Sequence, residues 1–168
     1  MKTKSSKLYT LTCWLTEGQV TEEFVKANPV VSRTIEIRGD QTLDQLHREI
    51  FKAFDRWEEH MCQFEFGDGP RDPSGDHYIM GFDASASMGG KPAAGTIEKT
   101  RMDDLGLEVG RHFGYWFDFG DDWYHELEVT AIGESDGKQR YPRITARVGE
   151  SPPQYPDMED EDDSDDEE

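Results

Sequence analysis

Cysteine is scarce in this sequence: Cys13 and Cys62 are the only two, and they form neither a CxxC pair nor any spacing typical of metal sites. Both fall in predicted strands, so we expect two buried, reduced thiols and a cytoplasmic location. Long apolar runs are also missing, and none approaches the about 18 residues of a membrane span. The apolar part of the N-terminus is interrupted by Thr10 and Thr12, unlike a signal peptide. The sequence therefore predicts no membrane segment.

Basic residues are few, with 18 Lys and Arg against 37 Asp and Glu and a formal net charge of -19. Ten of the acids lie in residues 157–168, DMEDEDDSDDEE, so the rest of the chain carries -9. Direct nucleic-acid binding is disfavoured, because it needs a basic surface that releases counterions. We predict a disordered tail, since this segment repels itself and cannot bury apolar surface. It either solubilises the protein or acts as a nucleic-acid mimic that attracts basic partners.

The sequence signatures of common enzyme sites are absent as well. There is no GxGxxG that opens a helix and no GxxxxGK[ST], so nucleotide binding has no motif to support it. There is no GxSxG, and neither cysteine has a local histidine signature, so nucleophilic catalysis has no support either. We therefore predict no organic cofactor and leave a divalent metal as an alternative.

Apolar residues that alternate with polar ones predict most of the strands. The predicted strands cover residues 8–15, 32–38, 62–66, 77–82 and 141–148. The signals for the main helix are stronger. Thr42 is a suitable N-cap, and Gln45 follows three residues later, as in a capping box. An apolar stripe at three- and four-residue spacing then runs as far as Trp57.

These elements predict an α+β fold: a mixed, largely antiparallel sheet, with one main helix over about residues 43–57 packed on one face and a C-terminal aromatic hairpin. We expect residues 1–156 to form a single domain. Its core covers about residues 8–149, and it includes a flexible loop at about 67–100, where Gly, Pro, Ser and Ala are frequent.

The hairpin occupies residues 113–129, with the sequence FGYWFDFGDDWYHELEV. A three-residue loop at 120–122 makes one face consistently apolar, whereas a two-residue loop mixes apolar and charged residues on each face. We therefore predict the longer loop. It pairs Phe119 with Trp123, Phe117 with His125, Tyr115 with Leu127 and Phe113 with Val129.

Carboxylates and histidines at this hairpin are the best candidates for chemistry. Asp118, Asp121 and His125, together with His47 on the predicted helix, are candidate catalytic residues. The candidate metal ligands are His47, His60 and His125. The same residues also have structural interpretations, because Asp suits tight turns and a histidine on an apolar face is commonly a core residue.

The outer face of the hairpin is a candidate binding surface. The predicted register places Trp116 outward, opposite Glu126, with Asp118 opposite Tyr124. If no other element covers this face, its aromatic residues form an exposed patch of the kind that marks binding sites. The candidate binding residues are Trp116, Asp118, Asp121, Asp122, Trp123 and Tyr124. In the alternative interpretation, the loop at 71–100 or the N-terminal insert covers the patch.

Two sequence blocks resemble the plasmid pRiA4b open-reading-frame-three-like family. Residues 42–66, TLDQLHREIFKAFDRWEEHMCQFEF, are similar to its "TL..LH..I..A..W...H...F" stretch, and residues 113–129 to its "F.Y.YDFGD.W.H.I.V" stretch. Arg33 lies where family members have a basic run. This chain departs from the family at NPVVSRTIEI, where "PPIWRR" is frequent, and at SPPQYPDMED, where "PPEDCGG" is frequent.

The resemblance implies an α+β fold and association with mobile elements, without an established activity. Some members are labelled transposon-passenger or resolvase-like proteins. Resolvase activity is disfavoured here, because the chain has no basic DNA-binding module. Our first hypothesis is a small binding module with a protein partner. The alternative is a metal-dependent or acid/base hydrolytic enzyme that uses the Asp and His cluster at 118–125.

Overall fold

An eight-stranded sheet forms the framework of the computed structural model, which describes residues 7–69, 72, 74–81 and 92–155. The strands are β1 Lys7–Glu17, β2 Ser32–Arg38, β3 Cys62–Phe66, β4 Asp76–Ile79, β5 Gly95–Thr96, β6 His112–Phe117, β7 Trp123–Glu134 and β8 Arg143–Val148. Their order across the sheet is β5-β4-β3-β6-β7-β1-β2-β8. All neighbours are antiparallel except β4 and β5. The predicted acidic tail at 157–168 lies outside the described residues.

The helices are α1 Glu22–Ala27 and α2 Leu43–Ala53, with a 3-10 turn at Met102–Leu105. The predicted α+β fold is confirmed, with a mostly antiparallel sheet and one main helix. None of the helices in the described ranges is long and apolar enough to cross a membrane. The predicted loop at 67–100 contains β4 and β5, and part of it lies outside the described residues.

Helix α2 begins as predicted but ends early. Thr42 Oγ1 accepts a hydrogen bond from the Gln45 amide, and the Gln45 side chain accepts one from the Thr42 amide, which completes the capping box. The predicted end near Trp57 is wrong. The Trp57 amide donates to Gln154 Oε1 at 2.9 Å, and Asp55 takes a left-handed φ of 54°. Trp57 is therefore 66% exposed and not part of the helical stripe.

The core lies between α2 and the inner face of the sheet. It consists of alternate residues from the central strands and of the buried stripe on α2, chiefly Tyr9, Leu11, Cys13, Ile35, Ile37, Leu43, Leu46, Ile50, Phe64, Tyr115, Phe117, Trp123, Leu127 and Val129. Cys13 and Cys62 are buried free thiols, as predicted.

The hairpin has a longer loop than predicted and a register shifted by two residues. Phe117 pairs with Trp123, and Tyr115 pairs with His125, so the loop covers residues 118–122. Asp118 and Asp122 take left-handed φ values of 63° and 55°, which the three-residue loop did not anticipate. The residues that remain paired keep their predicted faces, because a shift of two residues leaves each of these side chains on its own side, whereas Phe119 now lies in the loop.

Candidate functional site

His47 connects the surface to a buried phenol. Its ring is 1% exposed, with Nε2 2.6 Å from Glu59 Oε1 and Nδ1 2.6 Å from the Tyr115 hydroxyl. A carboxylate only accepts, so Nε2 carries a proton and donates to Glu59, while Nδ1 shares a hydrogen bond with the Tyr115 hydroxyl. The hydrogen bond from His47 lowers the pKa of Glu59, and burial raises the pKa of Tyr115 well above its ordinary value. The result is a chain of hydrogen bonds from Glu59 to Tyr115.

His125 belongs to a different hydrogen-bond system. It is 2% exposed, with Nε2 2.8 Å from Arg56 Nη2 and Nδ1 3.2 Å from the Tyr115 carbonyl. A guanidinium only donates, so Nε2 accepts from Arg56 and Nδ1 donates to the carbonyl. Burial and, after it, the charge of Arg56 hold the pKa of His125 well below its ordinary value. His125 is therefore neutral and inaccessible, unlike the general base that the sequence suggested.

The Arg56 guanidinium is enclosed by aromatic rings. Its Cζ lies 5.1 Å from the ring centre of Phe54, 4.8 Å from Phe117 and 5.2 Å from Trp123. Cations over aromatic faces in desolvated sites gain about 2 kcal/mol or more. Burial lowers the pKa of Arg56 to about 10, so the group remains charged at neutral pH.

His60 lies at the surface end of the hairpin loop and is 30% exposed. Its Nε2 is 2.5 Å from the Tyr155 hydroxyl and 3.4 Å from both Asp118 Oδ2 and Glu58 Oε1. The rings of His60 and His47 both contact Phe117, at centroid distances of 5.9 and 6.1 Å.

The three predicted metal ligands therefore have separate hydrogen-bond partners and do not meet on one ion. His47 bonds to Glu59 and Tyr115, His125 to Arg56, and His60 to Tyr155. Among the residues that the structure describes, no group of three or more His, Cys, Asp or Glu side chains is arranged to hold a metal ion.

The aspartates of the hairpin mainly build the loop. Asp118 is 6% exposed, and its Oδ1 accepts from the amides of Gly120 and Asp121 at 3.1 and 3.2 Å. Asp122 Oδ1 accepts from the Trp116 indole at 2.9 Å, which fixes that ring. These contacts agree with the turn interpretation, in which Asp bonds to its own backbone.

His125 gives the stability of the fold a defined pH dependence. In the unfolded chain its pKa is about 6.5, whereas the folded value is held well below that. Below about pH 6.5 the unfolded state therefore binds more protons, and the stability decreases as the pH falls. We expect a loss of about 1.4 kcal/mol per pH unit below 6.5 and no contribution from His125 above it.

Urea titrations between pH 5 and 8 measure this dependence. The variant His125→Asn should be less stable at pH 8 but should lack the decrease between pH 6.5 and 5. Glu59 does not contribute in this window, because its pKa is lowered from 4.5 and it titrates at lower pH. An equal slope in the wild type and in His125→Asn would contradict the prediction.

The outer face of the hairpin carries a stacked aromatic pair. Trp116 lies opposite Tyr124, not opposite Glu126 as predicted, with ring centroids 5.4 Å apart and an interplanar angle of 12°. Phe119 leaves the predicted inner face and packs on Trp116 at 4.3 Å. Trp123 lies on the inner face at 0% exposure, so its prediction as a binding residue is wrong. Trp116 and Phe119 remain partly exposed, and Tyr124 is 9% exposed.

A cavity of 280 Å³ adjoins this pair. Glu65, Gly114, Glu126 and Trp14 form one row across the outer face of β3, β6, β7 and β1. Because Gly114 has no side chain, the row has a gap between two carboxylates. Tyr124, Thr16 and residues 67–69 contribute further to the wall.

The sequence prediction missed Glu65, Gly114, Glu126 and His112 as site residues. His112 borders the cavity, with Nδ1 3.3 Å from Glu126 Oε1 and Nε2 3.5 Å from Glu128 Oε1. The available signal was the glycine itself, because a glycine inside a strand often marks a place where a ligand or another backbone approaches closely.

Comparisons with known proteins agree with this fold. The crystal structure of MM3350, a protein of unknown function from Methanosarcina mazei Go1, matches with a TM-score of 0.65 and 23% sequence identity, covering 86% of this chain and 71% of that one. At this identity the likeness shows the fold alone. No curated protein matches the sequence. The family model described as plasmid pRiA4b ORF-3-like protein matches residues 19–160, and the chain therefore belongs to the plasmid pRiA4b ORF-3-like family.

Proposed function

We propose that this protein is a binding module that docks a protein partner on the outer face of its hairpin. The observation that carries the proposal is the Trp116–Tyr124 stack beside the 280 Å³ cavity at Gly114. Trp and Tyr are the residues most enriched at binding hot spots, and they contribute most beside a pocket that a partner can fill.

The outer face also has the fixed geometry that recognition needs. The Trp116 indole is held by Asp122 at 2.9 Å, by the ring of Tyr124 and by the ring of Phe119. A side chain that is already ordered loses little conformational entropy when a partner binds. Asp122 therefore orients Trp116, and we assign it a positioning role at the binding surface.

The negative charge of the chain and of this face favours binding of a basic or neutral protein over binding of nucleic acid. The chain carries a net charge of -19, and Glu65, Glu126 and Glu128 lie on the same face as Trp116. Such a face repels phosphate and attracts cationic protein segments. A cytoplasmic location is part of the proposal, and the two buried free thiols support a reducing compartment.

Replacing Trp116 with alanine is expected to lower the affinity for a specific partner at least about tenfold, because a central aromatic anchor contributes about 2 kcal/mol or more to binding. The measurement is quantitative affinity capture from the source cells, followed by titration of the captured partner against each purified variant. Circular dichroism checks that the variant is folded.

Trp57→Ala is the matched control. Trp57 is 66% exposed and touches Tyr155 beyond the end of α2, so the control removes an equally large side chain outside the outer face of the hairpin. We expect Trp57→Ala to keep the partner that Trp116→Ala loses. If Trp116→Ala retains every specific partner at wild-type affinity, the hairpin face is not the interface.

A further inference from the structure

We propose that Met61, Trp116 and Phe119 form a docking surface for the apolar face of a basic amphipathic helix presented by the partner. This inference rests on the proposed function, because it concerns the same outer face of the hairpin. It adds a further binding residue, Met61, and it specifies the secondary structure and the charge of the segment that binds, which neither the fold nor the family supplies.

Met61 extends the aromatic surface of the hairpin onto the neighbouring strand. Gln63 pairs with Trp116, and side chains two positions apart on a strand share a face, so Met61 lies on the same side of the sheet as Trp116. The Asp118 amide donates to the Met61 carbonyl at 2.9 Å, so the pairing continues as far as this residue. Met61 is 47% exposed, whereas Gln63 is 7% exposed. The methionine side chain is therefore accessible to a partner.

The exposed side chains at this end of the hairpin are apolar. Phe119 packs on Trp116 with ring centroids 4.3 Å apart, and both rings remain partly exposed. Asp122 fixes the Trp116 ring, whereas methionine is unbranched and adapts to irregular surfaces. A flexible methionine beside a fixed aromatic pair can follow the side chains of a docked segment. Exposed apolar groups that lie together mark interaction sites.

The backbone of this surface favours a helix over an extended segment. Strands β3, β6 and β7 are each paired on both sides. In the loop, the Asp118 side chain accepts from the amides of Gly120 and Asp121, and its carbonyl accepts from the Asp122 amide. The main-chain groups that an added strand would need are thus already bonded. A helix satisfies its own backbone hydrogen bonds and needs only side-chain contacts.

The spacing of the surface also suits one face of a helix. Side chains at positions i and i+4 of a helix lie about 5–6 Å apart, and neighbouring strands lie about 4.8 Å apart. Successive residues of an apolar helical stripe can therefore rest over Met61 beside β3 and over Trp116 on β6.

The charge around the surface favours a basic helix. Asp122 accepts from an indole N–H and Asp118 accepts from backbone amides, so these neutral donors leave the carboxylates charged. Glu58 and Glu59, which precede Met61 in the chain, are 49% and 56% exposed. Carboxylates beside an apolar surface attract cationic segments at a distance, without a free hydrogen-bonding atom. Lysine or arginine on the polar face of the helix is therefore favoured.

The test uses the full chain and three 18-residue peptides. The first has leucine at i, i+3, i+4 and i+7 spacing and lysine elsewhere, the second has the same residues in strict alternation, and the third has glutamate in place of the lysine of the first. Binding is followed by the methyl resonance of Met61 and the indole N–H resonance of Trp116 in NMR spectra. We expect the first peptide to shift both resonances and to saturate, and the other two to bind at least about tenfold more weakly.

Matched variants separate this surface from general attraction to an acidic chain. Met61→Gln keeps the length of the side chain but removes its apolar contact, and it should weaken the first peptide at least about threefold. Val109→Thr is the control, because Val109 is 62% exposed in the segment before β6, away from the hairpin loop, and threonine has nearly the same shape. It should have no effect on binding.

Equal binding of the first two peptides would overturn the choice of a helix, and equal binding of the lysine and glutamate peptides would overturn the choice of a basic one. Equal effects of Met61→Gln and Val109→Thr would overturn the role of Met61. The proposed function fails separately, because Trp116→Ala is tested against the captured partner. If Trp116→Ala loses that partner while the first peptide leaves both resonances unchanged, the binding module stands and the helix-docking surface does not.

Discussion

Replacement of Arg33 with methionine is expected to lower the free energy of unfolding by about 3–5 kcal/mol, one of the two largest effects that we predict for a single side chain. Arg33 is 1% exposed and donates to the carbonyls of Ala53 at 2.7 Å, Ser32 at 2.7 Å, Val148 at 2.9 Å and Gly149 at 3.1 Å. A buried carbonyl left without a donor costs about 1–3 kcal/mol, and the losses do not add fully, because the Ala53 carbonyl keeps Arg147 as a donor at 2.9 Å.

The location of Arg33 explains the size of the effect. Its guanidinium joins β2 to the end of α2 and to the segment after β8, and its Nη2 donates to Ser151 Oγ at 2.9 Å. Burial lowers the pKa of Arg33, because the charged guanidinium loses hydration. Methionine keeps much of the volume but none of the donors, so three elements lose their common contact.

Arg147 is the matched control for this prediction. It lies opposite Arg33 in the sheet and also donates to the Ala53 carbonyl, at 2.9 Å. Its side chain is 43% exposed, and its ion pair with Asp55 faces solvent. Exposed pairs contribute about 0–1 kcal/mol. We expect Arg147→Met to cost about 1 kcal/mol in urea unfolding, and equal losses in the two variants would contradict this interpretation.

The sequence predicted elements where the deciding forces act locally. Thr42 and Gln45 predicted the start of α2, because a capping box is complete within four residues. Cys13 was predicted to be buried, because a strand with one buried face shows its alternation directly.

The errors arose where the periodic pattern of apolar residues does not decide the outcome. The end of α2 depends on Gln154, which binds the Trp57 amide from 97 positions away. The hairpin register depends on the left-handed φ values of Asp118 and Asp122, and a shift of two residues leaves the apolar pattern unchanged. The pattern thus determined which face each residue occupies, but not which residue it meets.

The candidate site was also predicted only in part from the sequence. The sequence identified Trp116 and Tyr124 as outer-face residues, and both lie there. It could not identify the row of Glu65, Gly114 and Glu126, because these residues come from three strands and only the sheet order brings them together. His47 and His125 were predicted as metal ligands, because the sequence does not show that both have buried hydrogen-bond partners within the protein.

Trp123→Ala is expected to destabilise the protein by about 3–5 kcal/mol, as large aromatic truncations in cores do. Trp116→Ala is expected to cost about 1–2 kcal/mol, because it removes one stacked pair from a partly exposed face. Trp123 is fully buried and packs against the Arg56 guanidinium. Urea unfolding of both variants measures the difference, and equal losses would show that the two tryptophans are not on opposite faces.

Gly18 provides a second test of how tightly Trp123 is packed. A Cβ on Gly18 would lie 2.1 Å from Cε3 of Trp123, so Gly18→Ala forces the ring or the end of β1 to move. Overpacking of this kind costs about 1–3 kcal/mol. In the background of Trp123→Ala the obstructing ring is gone, and the cost of Gly18→Ala should largely disappear. Additive losses in the double variant would mean that the strain at Gly18 has another origin. A large coupling would establish that the Trp123 ring is the group that a side chain at Gly18 displaces, and that Trp123 packs beneath the hairpin against the end of β1.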